Sequence, residues 1–186
     1  MKQLTTFVLL CLTCSLISAQ NIWENPNIFQ INQTLPHAPL IPYESVKDAI
    51  KKEKSKCRYY QSLNGTWNFN WVSKVSQAPV DFYKPDYNID EWEDITVPSN
   101  WQMEGYGHPK FRNIALTFPS DPPNVPKYYN PVGSYKRVFH IDKSWQDRRI
   151  FLHFEGVKSA FHVWINGQEV GYNQGSMEPA EFEIGR

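Results

Sequence analysis

The residues best suited to binding chemistry lie in one irregular segment, from Pro98 to Gly133. Aromatic rings and a histidine alternate there with closely spaced prolines: Trp101, Tyr106, His108, Phe111, Tyr128 and Tyr129. Flat aromatic faces can stack on a sugar ring, while amides and imidazoles bind its hydroxyls. Long ordered loops are usually functional. The segment therefore predicts either a carbohydrate site or a packed loop that closes the end of a β-sandwich, and the residues alone leave both open.

Nucleophilic and metal chemistry is not indicated by any motif. The sequence has no His-Glu-x-x-His, no Cys-x-x-Cys, no glycine-rich phosphate loop and no Gly-x-Ser-x-Gly. Its histidines show no metal-ligand spacing, and we expect His140, His153 and His162 to be structural residues within strands. We assign no catalytic residue and no metal ligand to this segment.

Carboxylates are concentrated around Trp92, at Asp90, Glu91, Glu93 and Asp94. A retaining glycosidase needs two carboxyl groups about 5–5.5 Å apart. The cluster has the composition of a surface turn and contains no recognisable acid and nucleophile pair.

Composition narrows the class of protein. The 186 residues contain 19 basic and 19 acidic side chains, and this balance argues against a nucleic-acid partner. Aromatic residues make up 15%, with 14 prolines and 9 glycines, which is typical of β-sandwiches and barrels with long loops. The length suits one domain with an extension.

In the elements that must position this loop, apolar and polar residues alternate with a period of two. Trp67, Phe69 and Trp71 alternate with polar residues, which predicts a half-buried strand. Further strands are predicted at Ile95–Val97, Tyr135–Ile141, Ile150–Phe154, Phe161–Ile165, Gln168–Tyr172 and Ala180–Ile184. Asn166–Gly167 separates two of these runs and predicts a tight hairpin. The fold class is all-β, with sandwich packing.

A proline-rich lead-in over residues 20–62 precedes these strands, and it predicts an extended segment with one short helix. The helix is expected from Val46 to about Lys54, with Ser45 as its N-cap. Its apolar stripe is Val46, Ala49 and Ile50, and its lysines face water.

The first nineteen residues do not belong to the fold. Met1 and Lys2 precede an apolar run from Leu4 to Ile17 and then small residues, which predicts a signal peptide over 1–19. We therefore expect export, to a periplasm or out of the cell. Removal of the peptide also removes Cys11 and Cys14, so Cys57 is the one cysteine that remains. Its charged neighbours indicate a structural role.

Several ungapped motifs occur together along the mature chain. They are Leu-Asn-Gly-Thr-Trp from Leu63, Pro-Ser-Asn-Trp-Gln-Met from Pro98, Asn-Pro-Val-Gly-Ser-Tyr from Asn130 and Trp-Ile-Asn-Gly from Trp164. Trp23–Glu24–Asn25–Pro26 and His37–Ala38–Pro39 open the series. Together they resemble the N-terminal sugar-binding domain of the large β-galactosidases of glycoside hydrolase family 2.

The resemblance implies a fold and a site. The fold is a jelly-roll β-sandwich over residues 63–186, of the galactose-binding-domain type, with its last strands missing at the C-terminus. Asn113 matches the asparagine that hydrogen-bonds galactosyl hydroxyls in the family, with Phe111 at the usual aromatic position. Trp101 and His108 are candidate supports for Asn113. The isolated segment is expected to be inactive and poorly soluble.

The resemblance also implies partners outside this segment. In the family, further domains include a barrel that carries the catalytic glutamates and hydrolyses terminal β-D-galactosides with retention. Magnesium and sodium are implied only for the full-length enzyme, and the family allows a homo-oligomer. The alternatives are a non-catalytic carbohydrate-binding module, a decayed fragment, a family 2 β-glucuronidase or β-mannosidase, and an interaction domain without sugar preference.

Overall fold

The computed structural model describes residues 21–109 and 121–185, and this part of the chain confirms an all-β fold. Its eight strands are β1 Gln30–Ile31, β2 Gly65–Val72, β3 Glu93–Val97, β4 Val132–Lys136, β5 Phe151–Phe154, β6 Phe161–Ile165, β7 Gln168–Asn173 and β8 Ala180–Glu183. The α-helix α1 covers Val46–Lys51, and 3₁₀ turns cover Ile22–Glu24, Lys54–Lys56, Val75–Gln77 and Lys143–Trp145.

The strands pair antiparallel in three small sheets, with orders β1-β7-β6, β3-β2-β4 and β5-β8. In the first of these, Gln30 pairs with Asn173, and Phe161 also pairs with Asn173 from the other side. In the second, Phe69 lies opposite Glu93 on one side and Tyr135 on the other. This all-β arrangement is consistent with sandwich packing, because each sheet has one face to bury.

Alternation along β2 separates a buried face from a polar one. Phe69 is only 1% exposed, while Thr66 is exposed. Across the sheet, Ile95 of β3 is also buried. Phe69 therefore has the buried position that the predicted period of two gives it, while Trp67 and Trp71 are half-buried.

The hairpin between β6 and β7 turns at the predicted dipeptide. Asn166 and Gly167 both have positive φ, at 51° and 85°. Such a turn matches the right-handed twist of the flanking strands, and glycine is the residue that adopts this conformation without strain. The hairpin prediction is confirmed.

A hydrophobic core lies where the sheet β1-β7-β6 meets the sheet β5-β8. Val163, Ala180 and Phe182 are buried in it, with Phe182 fully enclosed. Apolar residues of the neighbouring strands pack around them: Leu152, Phe154, Phe161 and Val170. Phe154 and Phe161 meet edge to face, with ring centroids 5.1 Å apart.

The lead-in is held along its length by strand edges and a buried thiol. Ile31 of β1 pairs with Tyr172 of β7, and Gln33 forms a bridge to Phe182 of β8. Farther along, Cys57 is 7% exposed and its Sγ donates to the Pro42 carbonyl at 3.1 Å. Burial with a local partner confirms the structural role predicted for Cys57.

The strand predicted over Tyr135–Ile141 is wrong at both ends. It begins earlier and ends at Lys136, and Val138 is 80% exposed. The next pair in this register would be Trp67 of β2 with Arg137. The Arg137 guanidinium instead donates to the carbonyls of Leu63, at 2.9 Å, and Thr66, at 3.3 Å. Where β4 ends, the side chain of Arg137 thus binds backbone carbonyls at the start of β2.

The helix is shorter than the sequence predicts. Ser45 caps it as expected, since its Oγ accepts from the Asp48 amide at 3.2 Å. Lys52 then adopts a left-handed conformation, with φ 57°, which ends the helix. Val46 and Ile50 of the apolar stripe are 78% and 74% exposed. In the described ranges no helix has the length and apolar character needed to cross a membrane.

Phe182→Ala tests the core cluster. The variant removes a fully buried ring, and we expect a loss of about 3–5 kcal/mol in the free energy of unfolding. Phe151→Ala on the adjacent strand is the matched control, because that ring is 37% exposed and should cost far less. Urea denaturation of both variants measures the difference. Equal losses would show that the core has been placed wrongly.

Candidate functional site: the base of the aromatic loop

The loop that follows β3 is anchored on the ring of Phe69. Trp101 lies beside this ring with centroids 6.2 Å apart, and Tyr106 meets it edge to face at 4.8 Å. A turn holds the two loop residues together, since the Tyr106 amide donates to the Trp101 carbonyl at 2.9 Å. Gly133 makes room for this packing, because an added Cβ would come within 2.6 Å of the Trp101 ring.

Tyr106 also ties the loop to the strand that leads into it. Its hydroxyl donates to the Glu93 carboxylate at 2.6 Å. This hydrogen bond, with burial and further nearby carboxylates, raises the pKa of Tyr106 to about 12. The phenol is therefore a fixed donor at neutral pH, and its role is to hold the loop rather than to take a proton.

The distal part of the same turn rests on a second tryptophan. Gly107, with φ 69°, lies against the Trp71 ring and the Tyr129 hydroxyl, which would be 3.2 Å and 3.4 Å from an added Cβ. The indole N–H of Trp71 is buried and has no acceptor among the described residues. A buried donor without an acceptor carries a free-energy penalty. The indole N–H of Trp71, which lies under this end of the loop, is therefore a donor that another polar group can satisfy.

The returning side of the loop is anchored by a buried carboxylate from the lead-in. Glu24 is 8% exposed, and its Oε1 accepts from the Val125 amide at 3.2 Å. The other oxygen accepts from the Asn21 side chain at 3.0 Å. The Val125 amide, followed by Asn21, lowers the pKa of Glu24. Nearer β4, the Asn130 amide donates to the Ser73 carbonyl at 3.0 Å. Both flanks of the loop are thus attached to the body.

The predicted site residues fall in different places relative to this base. Trp101 lies in it, half-buried against Phe69. His108 is exposed and lies one residue before the first described range ends. Asn113 and Phe111 lie outside the described residues, so the structure does not test the assignment of Asn113.

The histidines predicted to be structural differ in position. His153 and His162 lie in β5 and β6, each with a glutamate near its Nδ1: Glu181 at 3.2 Å and Glu169 at 2.8 Å. His140, by contrast, is exposed outside the strands, because β4 ends before it. Across the two described ranges, no group of three or more His, Cys, Asp or Glu residues has the geometry to hold a metal ion.

Sequence reasoning missed the anchoring role of Glu24. A signal was present, because Glu24 is the sole aspartate, glutamate, lysine or arginine between Asn21 and Tyr43. A single carboxylate in such an uncharged stretch is either solvated or paired. Its partner is a backbone amide 101 residues away, which no local pattern indicates.

Antiparallel sheets that support a long aromatic loop define a class of all-β domain in which a loop can present a binding site. The family model for the glycosyl hydrolases family 2 sugar binding domain matches residues 60–186. The chain therefore belongs to glycosyl hydrolase family 2.

Curated relatives named β-galactosidase match nearly the whole chain. The protein of Priestia megaterium is 43% identical over 165 residues, which is 87% of this chain and 16% of that relative. The protein of Alteromonas mediterranea is 40% identical over 175 residues, 92% of this chain and 16% of the relative. The protein named β-galactosidase 2 of Enterobacter cloacae is 40% identical over 176 residues, which is 94% of this chain and 17% of that relative. The chain thus spans about a sixth of the length of these relatives.

Gly133→Ala tests the anchoring of Trp101. The new methyl group would overlap the Trp101 and Phe69 rings, so we expect a loss of about 1–3 kcal/mol and faster amide exchange in residues 98–109. Gly156→Ala is the matched control, since its added Cβ would lie 3.4 Å from the nearest described atom. If Gly133→Ala exchanges like the wild type, Trp101 does not depend on this contact.

Glu24→Gln tests the anchor on the returning side. The pKa of Glu24 is lower folded than unfolded, so its contribution to stability is present above the unfolded pKa, about 4.3, and is lost as pH falls through the folded value. We expect the variant to be less stable near neutral pH and to lose less stability on acidification. Parallel melts from pH 7 downward measure this. A constant gap between the two proteins would contradict the role of Glu24.

Proposed function

We propose that this chain is the N-terminal, sugar-positioning part of an exported β-galactosidase. The longer enzyme hydrolyses terminal β-D-galactosides with retention, and its two catalytic carboxyl groups lie outside this segment. The contribution of this part is orientation, because a sugar held in the reactive geometry needs less additional ordering at the transition state.

One observation carries this proposal: relatives named β-galactosidase are 40–43% identical to this chain over 87–92% of its length. The geometry supports it. Trp101 and Tyr106 secure one flank of the loop, Glu24 secures the other, and the segment between them carries Asn113. A loop held at both ends loses less conformational entropy when a ligand binds.

In this proposal Asn113 hydrogen-bonds the galactosyl hydroxyls. An amide side chain offers both donors and an acceptor, which suits the mixed demands of sugar hydroxyls. Trp101 acts from the base of the loop, as a support rather than as a ligand contact. His108 is close enough in sequence to contribute, and we propose it as a second support.

Three further expectations belong to the same proposal. Magnesium and sodium act in the longer enzyme and are held mainly by residues outside this segment. Residues 1–19 direct export and are removed. The jelly-roll connectivity implied by the resemblance is part of the proposal as well.

Asn113→Ala in the longest natural form of the protein tests the site. Loss of hydrogen bonds worth about 1.5–3 kcal/mol should lower kcat/KM for a nitrophenyl β-galactoside by about ten- to 150-fold. The melting temperature should not change. Asn27→Ala, at an exposed lead-in position, is the matched control and should keep wild-type kinetics. Unchanged kinetics in Asn113→Ala would remove this residue from the site, and preferred cleavage of a glucuronide or mannoside would overturn the substrate assignment.

A further inference from the structure

A carboxylate on the outer face of β8 lies between two histidines. Oε1 of Glu181 is 3.0 Å from Nε2 of His37 in the lead-in, and Oε2 is 3.2 Å from Nδ1 of His153 on β5. His153 is the cross-strand partner of Glu181. The same glutamate residue also holds the lead-in through its backbone, since its carbonyl accepts from the Thr34 amide at 2.9 Å.

His37 has acceptors at both ring nitrogens. Nδ1 is 2.8 Å from the carbonyl oxygen of Ala38, and Nε2 faces the Glu181 carboxylate. A carbonyl oxygen and an ionised carboxylate can only accept, so each contact needs an N–H from the ring. A neutral imidazole carries one N–H and can satisfy one of them. The protonated ring carries two and satisfies both, one of them as a charge-assisted bond.

His153 makes a different demand, because only its Nδ1 faces Glu181. A ring with hydrogen on Nδ1 meets this demand whether it is neutral or protonated, so this contact does not depend on the charge of the ring. The other charges on this face are Arg149 and Glu183, which pair at 2.9 Å next to it. Thr34 contributes a neutral hydroxyl, whose oxygen lies 3.5 Å from Oε1 of Glu181. Protonation of His37 is therefore the step that changes the set of hydrogen bonds.

We propose that His37 and Glu181 form a pH-sensitive clamp that fastens the lead-in to β8 at mildly acidic pH and loosens it as pH rises. The clamp controls how firmly the segment after Thr34 is held. Leu35 and Leu40 in that segment are 82% and 78% exposed. The clamp is independent of any sugar chemistry in the loop.

The direction of the effect follows from linkage. The Ala38 carbonyl, followed by Glu181, raises the pKa of His37 above 6.5. A group whose pKa is raised on folding adds stability below the unfolded pKa, and that stability is lost as pH rises through the folded value. The ring is 43% exposed, so the effect is modest.

Exchange of the Thr34 amide, measured by hydrogen–deuterium exchange mass spectrometry on the longest natural form of the protein, reports the clamp. Its protection factor already corrects for the intrinsic effect of pH. We expect this protection factor to be about two- to tenfold higher at about pH 5.5 than at about pH 8. In His37→Gln and in Glu181→Gln this difference should vanish. Both variants keep the backbone bond of Thr34, and His37→Gln changes an exposed position that should fold normally.

Glu169→Gln is the matched control. It removes a carboxylate from another histidine pair, that of His162 at 2.8 Å, and should leave the pH dependence at Thr34 as in the wild type. A protection factor that is the same at both pH values in the wild type would overturn the clamp. Persistence of the difference in His37→Gln would also overturn it, because the titrating group would then be another residue.

Discussion

The buried ring of Phe69 is the contact on which the loop-bearing half of this domain depends. It lies between Tyr135, at 4.6 Å, and the two loop aromatics, so one side chain joins the sheet to the loop. Close-packed interiors tolerate little change in volume, and Gly133 shows how little space remains. This packing holds the base of the loop in place. A binding loop needs this combination, in which variation is free at the tip and fixed packing sets the position of the base.

A second constraint comes from the lead-in, which is joined to both halves of the domain by polar contacts. Glu24 satisfies the Val125 amide in the returning loop, and Thr34 satisfies the Glu181 carbonyl in β8. Between them, Asn32 donates to the Val170 carbonyl at 3.1 Å. These bonds cap sheet edges and loop amides that would otherwise need water. The segment is therefore part of the domain even though it contributes little to the apolar core.

Local patterns predicted some elements and failed at others for identifiable reasons. β2 and the hairpin at Asn166–Gly167 were predictable because alternation and positive φ are properties of neighbouring residues. The C-terminal end of β4 was not, because Arg137, which follows this strand directly, donates its guanidinium to the carbonyls of Leu63 and Thr66, which are distant in sequence. The motif placed Trp101 in the correct loop, but its role as an anchor depends on its contact with Phe69 of β2. The assignment of Asn113 still depends on the motif alone.

The sequence by itself determined the all-β class, most of the strands, the capped helix and the family, because these depend on short-range periodicity and on ungapped motifs. Only the tertiary structure decided which groups meet. Glu24 and Val125 are 101 residues apart, and His37 and Glu181 are 144 apart. A carboxylate or an imidazole has no local preference that names its partner. The pairing is set when strand register and sheet packing bring the two groups together, and it persists because a polar group removed from water must find a partner in the folded chain.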